Sequence, residues 1–286
     1  MTITITTSNV NGIRAAKRKG IEDWAGKHAP DVWCIQEVRA PQDDVDSIFD
    51  EFGFEYATAG KIEAPANLHA MNEVCRVKGR AGVGLLTDLE VLDKRYGLPG
   101  LSEDVDSGRW IETDVKTPEG YAITVASVYV HAGNTDYPTK MEQKYRFLDT
   151  MLKRMGALRD EAAHGGKQAV LCGDFNIAHT PLDIKNAKAN EKHAGFLPEE
   201  RAYVDKWLDE YEFVDVMRSL AGDIQGPYTW WSQRGRAFDN NVGWRIDYQF
   251  ATPELAETAR GFVIDKAPTY ELRWSDHAPL TITYEV

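Results

Sequence analysis

The chain has 286 residues, of which 43% are hydrophobic and 27% are charged, a composition that supplies a large core and excludes a disordered chain. The formal net charge is −12 at pH 7, which argues mildly against nucleic acid as a partner because phosphate binding usually shows as a basic surface. Net charge does not describe distribution, however. Acidic residues concentrate at 43–51, and basic clusters stand at 14–19, 76–80 and 185–192, although each cluster alone is better interpreted as a solvated face.

The N-terminal segment, MTITITTSNVNG, alternates Thr and Ile and predicts a first β-strand. It has neither the basic region nor the apolar stretch of an export signal or a membrane anchor, so we expect no membrane partner. The three cysteines, Cys34, Cys75 and Cys172, are widely spaced, and two of them lie in apolar runs. Buried thiols in a reducing cytoplasm are therefore expected rather than a disulfide framework or a zinc site.

Strand-like and helical patterns then follow one another irregularly along the chain. Strands are predicted at 3–7, 31–36, 81–87, 109–115, 121–130, 168–172, 245–251 and 279–285. Helices are predicted at 14–28, 41–52, 139–163 and 199–210, and long loops at 61–80 and 173–198. This order lacks the even rhythm of a βα barrel and favours a mixed α/β domain with more than one sheet. Because no repeat or linker interrupts the chain, residues 1–286 are expected to form a single domain.

Polar side chains stand at the ends of the predicted strands, where layered α/β proteins build their sites. They are Asn9 and Asn11 after the first strand, Glu37 after the second, Asp174 and Asn176 after QAVLC, Asp247 within RIDYQF, and Asp276 and His277 before the last strand. Carboxylate and amide oxygens without cysteine favour magnesium or manganese over zinc. The pattern predicts a site for a hard cation and a phosphate.

Each of these residues also has an ordinary interpretation. A glutamate after a strand is usually an exposed turn residue, and an isolated histidine is usually a polar residue whose hydrogen bonds are satisfied. Asp247 is different, because a carboxylate inside an apolar strand needs a partner if it is not to be buried at a cost of several kcal/mol. His277 is the natural partner.

Six motifs, in order along nearly the whole chain, carry a family resemblance. They are NVNGIRA at 9–15, QE at 36–37, GDFN at 173–176, GFLPEER at 195–201, NVGWRIDY at 241–248 and SDHAP at 275–279. This set resembles the exonuclease III family of abasic-site endonucleases, within the endonuclease/exonuclease/phosphatase superfamily. The strings GDFN and SDH also occur in superfamily members that act on lipids or inositol phosphates, whereas GFLPEER and NVGWRIDY are specific to the DNA-repair branch.

The resemblance implies an α/β fold that is a four-layered sandwich, with two packed mixed β-sheets flanked by helices as in DNase I-like proteins. Glu37 would be the main Mg²⁺ ligand, with Mn²⁺ as a substitute, helped by Asn9, Asn11 and Asp276. The remaining catalytic roles follow from the matched motifs. Asp174 would orient and deprotonate the attacking water beside Asn176, while Tyr129 and His277, the latter held by Asp247, would bind the scissile phosphate.

For DNA recognition, the resemblance implies an aromatic pocket that accepts a flipped, base-less sugar. Trp230, Trp244 and Ile246 match its walls, and Asn186 and Asn190 would contact backbone phosphates. A core position is the alternative for the aromatic residues, and it has more weight for the neighbouring Trp231 than for Trp244.

Three features depart from the family pattern. The stretch after Tyr129 reads VHAGNTD, where relatives often have Asn or Gln and then a basic residue, so the resemblance does not extend to a DNA-inserting loop. Arg39 stands where Lys is usual, and residues 61–80 look longer than the common pattern.

The predicted activity is magnesium-dependent hydrolysis of duplex DNA 5′ to abasic sites, with 3′-5′ exonuclease and 3′-end trimming, in base excision repair. We expect double-stranded DNA with abasic sites or 3′ ends as the partner, a monomer, and a cytoplasmic location at the nucleoid. Two alternatives remain open: a phosphatase for a small metabolite or lipid headgroup, and a catalytically silent DNA-binding relative.

Overall fold

A computed structural model describes residues 2–286. Its strands, in chain order, are β1 (Thr2–Asn9), β2 (Val32–Gln36), β3 (His69–Glu73), β4 (Val83–Thr87), β5 (Glu90–Tyr96), β6 (Trp110–Lys116), β7 (Ala122–Tyr129), β8 (Gln168–Asp174), β9 (Val214–Asp215), β10 (Trp230–Trp231), β11 (Gly243–Trp244), β12 (Asp247–Ala251), β13 (Ala259–Ile264) and β14 (Leu280–Glu285). The helices are α1 (Ile13–Lys17), α2 (Ile21–His28), α3 (Gln42–Thr58), α4 (Pro138–Ala163), α5 (Ala187–Asn190), α6 (Pro198–Asp209), α7 (Val216–Ala221) and α8 (Pro253–Ala256).

The strands of residues 2–286 form two six-stranded sheets and one short ribbon. The first sheet has the order β13-β14-β1-β2-β4-β3, and the second has the order β5-β6-β7-β8-β12-β9. Each sheet is mixed, because the central pairs β1/β2 and β7/β8 are parallel while the other pairs are antiparallel. The ribbon pairs β10 with β11.

Three apolar clusters explain how the layers pack. The cluster between the sheets joins Ile5 and Cys34 of the first sheet to Val125 and Cys172 of the second. A second cluster packs α4 and α6 onto the outer face of the second sheet, and a third packs α1, α2 and α3 onto the outer face of the first. The prediction of a four-layered α/β sandwich is therefore confirmed.

The central position of β1 follows from its sequence. Its isoleucines enter the inter-sheet core, and its buried threonine hydroxyls are hydrogen-bonded, that of Thr6 with Thr281 at 2.7 Å and that of Thr7 to Gln36 at 3.0 Å. A buried hydroxyl with a partner avoids the desolvation penalty of an unpaired one. From Ile5 to Asn9 the strand is buried on both faces, and its pairing with both β14 and β2 makes it a central strand of the sheet.

All eight predicted strands and the four predicted helical regions are present, with shifts at their ends. The region 14–28 is split into α1 and α2, because Gly20 adopts a left-handed conformation with φ 88° between them. The expectation that 61–80 is a long loop was wrong in part, since these residues contain β3, which pairs with β4. The exposed edge strands β5 and β13 were not predicted, because their outward residues give no regular apolar alternation.

Two further sequence expectations concern cysteines and membranes. Cys34 and Cys172 are buried free thiols, as expected, whereas Cys75 is partly exposed. Across residues 2–286, every helix is too short or too polar to cross a membrane.

Candidate active site

The parallel strand pairs bring four candidate residues to one edge of the molecule. Asn9 is the last residue of β1 and Glu37 follows β2, while Tyr129 and Asp174 end β7 and β8. Since the carboxyl ends of parallel neighbours meet at the same edge of a sheet, the chain direction alone gathers these groups. The edges of the two sheets open into one cleft with a volume of about 330 Å³.

The remaining groups lie at or before the first residues of antiparallel strands. Asp247 is the first residue of β12 and lies directly opposite Asp174 in the register of β12 and β8. His277 precedes β14, and its backbone bridges to Trp230 of the ribbon. The sequence pattern placed Asp247 inside a strand from 245 to 251, but in the structure this strand starts at Asp247. The carboxylate therefore lies at the strand end, next to the cleft.

Most of the predicted site residues line the cleft. These are Asn9, Asn11, Glu37, Tyr129, Asp174, Asn176, Trp230, Trp244, Ile246, Asp276 and His277. Asp247 lies behind them and contacts His277. Asn186 and Asn190 line an adjoining cavity of about 350 Å³ that shares Trp230 and Trp244 with the cleft.

His277 connects two buried carboxylates. Its Nδ1 lies 2.8 Å from Asp247 Oδ2, and its Nε2 lies 3.8 Å from Asp174 Oδ2. Burial lowers the pKa of His277, but Asp247, Asp174 and Asp276 raise it to about 10. The imidazole is therefore protonated at neutral pH, with one N–H directed at Asp247 and the other near the cleft.

The surroundings of Asp174 disfavour its charged form, whereas those of His277 favour its charged form. Burial raises the pKa of Asp174 to about 7, with contributions from Asp247 and Glu37 and against the lowering effect of His277. Asn9 Nδ2 donates to its Oδ2 at 2.8 Å, and the backbone N–H of Asn176 donates to its Oδ1 at 2.9 Å. Such a carboxylate is poised to accept a proton near neutral pH.

Glu37, Tyr129 and Arg39 form a second polar group at the other side of the cleft. The Tyr129 hydroxyl donates to Glu37 Oε1, and Arg39 donates to the same oxygen at 2.7 Å. Burial raises the pKa of Tyr129 well above 10, so the phenol keeps its proton and remains a donor. The guanidinium of Arg109 lies 4.8 Å from the centre of the Tyr129 ring, in a cation–π contact.

The predicted metal ligands have polar hydrogen-bond partners in the structure. Arg39 donates to Glu37 Oε1 and to Asn11 Oδ1, each at 2.7 Å, so a cationic group already lies where two candidate ligand oxygens converge. Asp276 accepts from Asn11 Nδ2 at 2.9 Å, and its pKa is held below the ordinary value: burial raises it, but His277, Trp230 and Asn11 lower it more. These oxygens fit a hard cation.

A buried acidic and histidine triad offers a second arrangement that could hold a metal. Asp174, Asp247 and His277 each present one ligand atom, and these atoms lie within 4.8 Å of one another. A histidine ligand must give up its proton to bind a metal. The raised pKa of His277 opposes that loss of a proton.

The ribbon forms an aromatic wall beside these polar groups. Trp230 and Trp244 face each other across β10 and β11, with ring centroids 5.8 Å apart and an interplanar angle of 89°. Together with Ile246 they belong to one small apolar cluster, separate from the three layer cores. Trp231 is instead only 2% exposed and packs against Phe238, so the alternative of a core aromatic is correct for that residue.

Several residues that order the site were not predicted from the sequence. Arg39 was noted only as a departure, yet it donates to both Glu37 and Asn11. Ser275 belongs to the SDHAP motif, and its hydroxyl donates to the Asn9 carbonyl at 2.6 Å, which ties β1 to the His277 loop. Lys144 looked like a surface lysine of α4, although its spacing from Met141 and Leu148 places it on the buried face.

A basic cavity of about 410 Å³ adjoins the cleft. It shares Glu37, Arg39 and Tyr129 with the cleft and is also lined by Arg80, Arg109, His131 and Lys140. Because Arg80 ends the 61–80 segment and His131 lies in the VHAGNTD segment, both stretches that depart from the family pattern border this cavity. The net charge of −12 therefore conceals a local cationic surface at the site.

The chain was compared with known proteins. A family model described as "Endonuclease/Exonuclease/phosphatase family" matches residues 6–277. An exodeoxyribonuclease of Bacillus subtilis is 30% identical over 97% of this chain and 98% of its own length, and the DNA repair nuclease APEX1 of Danio rerio is 32% identical over 97% and 81%. The solved structure of an AP endonuclease from Archaeoglobus fulgidus superposes with a TM-score of 0.80 at 28% identity, covering 99% of this chain and 100% of that one. The chain belongs to the endonuclease/exonuclease/phosphatase family, as its motifs predicted.

Proposed function

We propose that this protein is a DNA-repair nuclease that hydrolyses the phosphodiester bond 5′ to an abasic site in duplex DNA and also removes nucleotides or blocking groups from 3′ ends. The observation that carries this proposal is that a proton acceptor, Asp174, and a protonated donor, His277, lie side by side in one cleft with an aromatic wall. The names of the Bacillus subtilis and Danio rerio relatives support a hydrolase that acts on DNA in repair.

Asp174 is the group that orients and deprotonates the attacking water. Its raised pKa matches the operating pH, and the donors Asn9 and Asn176 fix both of its oxygens. A water bound to this carboxylate attacks phosphorus in line with the leaving oxygen, and Asp174 takes its proton.

His277 and Tyr129 stabilise the charge that develops on the phosphate oxygens. Both keep their protons at neutral pH, because the pKa of each lies above its ordinary value. The Tyr129 hydroxyl, which donates to Glu37 here, would have to turn to reach a phosphate oxygen. Asp247 keeps the imidazolium oriented from behind the cleft, at 2.8 Å from Nδ1. Preorganised donors in a water-poor cleft are worth more than the same donors in water.

Glu37 would hold a magnesium ion, together with Asp276, Asn9 and Asn11, and manganese would replace it. The cation supplies Lewis-acid stabilisation of charge on the phosphate and the leaving oxygen. Arg39, which donates to Glu37 Oε1 here, would then be available to a phosphate, because its planar guanidinium suits phosphate oxygens.

Trp230, Trp244 and Ile246 would select the lesion. An abasic nucleotide has no base to stack, so it leaves the helix at a lower cost than an intact nucleotide. A pocket walled by two indoles and an aliphatic side chain would accept a bare sugar and would reject a normal nucleotide by size. Asn186 and Asn190, in the adjoining cavity, would contact the backbone beyond the pocket.

The cationic cavity around Arg80, Arg109 and Lys140 accounts for DNA binding by an acidic protein. Phosphate contacts are local, and binding weakens with salt according to the number of phosphates neutralised, not the net charge. We further propose that residues 1–286 act as one domain and as a monomer in the cytoplasm at the nucleoid. Light scattering of the protein during size-exclusion chromatography tests the monomer.

The decisive experiment uses a duplex with one synthetic abasic site and a matched undamaged duplex, each with the protein and Mg²⁺. Incision 5′ to the lesion, with little cutting of the undamaged duplex, is the expected result. Asp174→Asn is the matched control, because it removes the base at almost constant volume. Binding without incision would favour a silent relative, and release of phosphate only from small phosphorylated compounds would favour a phosphatase.

A further inference from the structure

A lysine ammonium lies buried behind the cleft, outside the groups assigned to catalysis. Lys144 of α4 is 0% exposed, and its Nζ donates to the carbonyl oxygens of Ala132 and Asn176 at 3.2 and 2.9 Å and to Glu200 Oε1 at 2.5 Å. An ammonium group has three protons, and three acceptors are present. Its hydrogen-bonding capacity is therefore filled by groups from three different segments of the chain.

Glu200 extends this connection to the loop before α6. It is also 0% exposed, and its Oε2 accepts hydrogen bonds from the backbone N–H groups of Gly195 and Leu197 at 2.6 and 3.0 Å. Ala132, Asn176 and Gly195 all line the cleft. One ion pair thus joins the loop after β7, the loop after β8 and the loop before α6.

The connection contacts the polar part of the site through Asn176 and the aromatic wall through Gly195. Asn176 has a left-handed backbone with φ 52°, and its N–H donates to Asp174 Oδ1 at 2.9 Å. On the other side, a Cβ atom at Gly195 would lie 2.9 Å from the Trp244 ring, so this loop packs directly on the aromatic wall. A shift of either loop would change the position of Asp174 or Trp244.

Stability alone does not account for a charge at this place. Lys144 lies on the apolar face of α4 with Phe147, Leu148 and Met151. Replacing a buried ion pair by apolar residues of similar volume is often neutral or stabilising, because burying two charges carries a large desolvation cost. Burial indeed lowers the pKa of Lys144, although Glu200 and Asp174 oppose that effect.

We infer that Lys144, paired with Glu200, is a positioning residue that holds the three loops of the cleft at the spacing that catalysis requires. This inference rests on the proposed function for its kinetic consequence, and on the contacts alone for its structural one. A misplacement of about 1 Å in such a site costs about a hundredfold in rate.

The test compares Lys144→Met/Glu200→Gln, which removes both charges together, with Arg154→Met. Arg154 lies on the same helix and donates to Glu112, which is 1% exposed, at 2.7 and 2.6 Å, away from the cleft. It is a control for the loss of a charged contact of α4 that lies outside the cleft. Steady-state cleavage of the abasic duplex, which gives kcat and KM, is measured at least ten degrees below the Tm of each variant.

The expected result is a fall of at least about tenfold in kcat for Lys144→Met/Glu200→Gln with KM changed less than about threefold, since the loops move while the phosphate contacts remain. Hydrogen exchange of the backbone N–H groups of Gly195 and Leu197 should accelerate in the same variant. Arg154→Met should leave both quantities unchanged. Equal kcat and equal exchange in the two variants would overturn the inference. If the wild-type protein cuts no abasic duplex, the proposed function fails, while the exchange measurement still decides whether the pair positions the loops.

Discussion

His277 Nδ1 lies 2.8 Å from Asp247 Oδ2, and both side chains are buried at the inner wall of the cleft. The contact joins the start of β12 in the second sheet to the loop that precedes β14 in the first, so it bridges the two layers. A carboxylate behind an imidazole fixes the orientation of the ring and favours its charged form. The contact with Asp247 therefore sets both the direction in which His277 donates its hydrogen bond and the pH range in which His277 is protonated.

Removal of this carboxylate should move the alkaline limb of the pH profile. Asp247→Asn keeps the shape of the side chain but removes a charge that raises the pKa of His277. The imidazolium should then lose its proton at a lower pH, so kcat/KM should begin to fall well below pH 10. The measurement is the pH dependence of abasic-site cleavage in the wild-type and variant proteins. An alkaline limb at the same pH in both would show that His277 is not the group that titrates.

The acidic limb should report Asp174. This residue acts as a base only when it is ionised, and burial raises its pKa to about 7. Activity should therefore fall as the pH decreases through about 7, which is well above the pKa of an ordinary aspartate. In Asp174→Asn we expect the rate to fall by about a hundredfold or more and the acidic limb to disappear. The protein should keep its fold, which circular dichroism can verify.

Activity should depend on a hard divalent cation. Chelation should abolish cleavage, and Mg²⁺ or Mn²⁺ should restore it, because the candidate ligands are carboxylate and amide oxygens. Glu37→Gln should require a higher Mn²⁺ concentration for half-maximal activity, whereas Glu90→Gln on the exposed strand β5 should not. Calorimetric titration with Mn²⁺ measures the same loss without DNA. Full cleavage in excess chelator would contradict the assignment.

The sequence anticipated that Glu37 and Asp174 would converge on the cleft, because each stands where an apolar strand ends. Asp174 and Glu37 follow strands that are buried along their whole length, and such strands are easily predicted from continuous apolar runs. Their convergence could also be anticipated, since parallel central strands end at one edge. Pairing of Asp247 with His277 followed from the cost of an unpaired buried carboxylate.

What the sequence did not reveal depends on tertiary contacts. The spacing of Lys144 from Met141 and Leu148 places it on the buried face of α4, but only the fold shows which loops supply the acceptors of its ammonium group. Strand β3 was taken for a loop because its pattern is irregular and its pairing with β4 is long-range. The contacts of Arg39 with both Glu37 and Asn11 could not be predicted, because they depend on where these two residues lie in space.

A buried ion network beneath the aromatic wall should be important for stability. Arg245 is 0% exposed and donates to Asp183 at 2.7 Å and to Asp215 at 3.0 Å. Arg245→Leu leaves two buried carboxylates without this partner, and we expect the free energy of unfolding to fall by about 3–5 kcal/mol. Denaturant unfolding measures this loss. Arg260→Leu, which breaks an exposed pair with Glu285, should change it by less than about 1 kcal/mol.

Lesion selectivity should depend on Trp244. This side chain meets Trp230 at a ring distance of 5.8 Å and lines the cleft, while its neighbour Trp231 is buried in a different cluster. Trp244→Ser removes one wall of the proposed sugar pocket but leaves Glu37 and Asp174 in place, so it should reduce the ratio of kcat/KM on abasic and undamaged duplexes by about tenfold or more. Trp231→Phe, a conservative change in the core, is the control and should preserve the ratio. An unchanged ratio in Trp244→Ser would show that other residues determine the lesion selectivity. The next residue to replace would then be Arg80 of the 61–80 segment, because it lines the adjoining basic cavity.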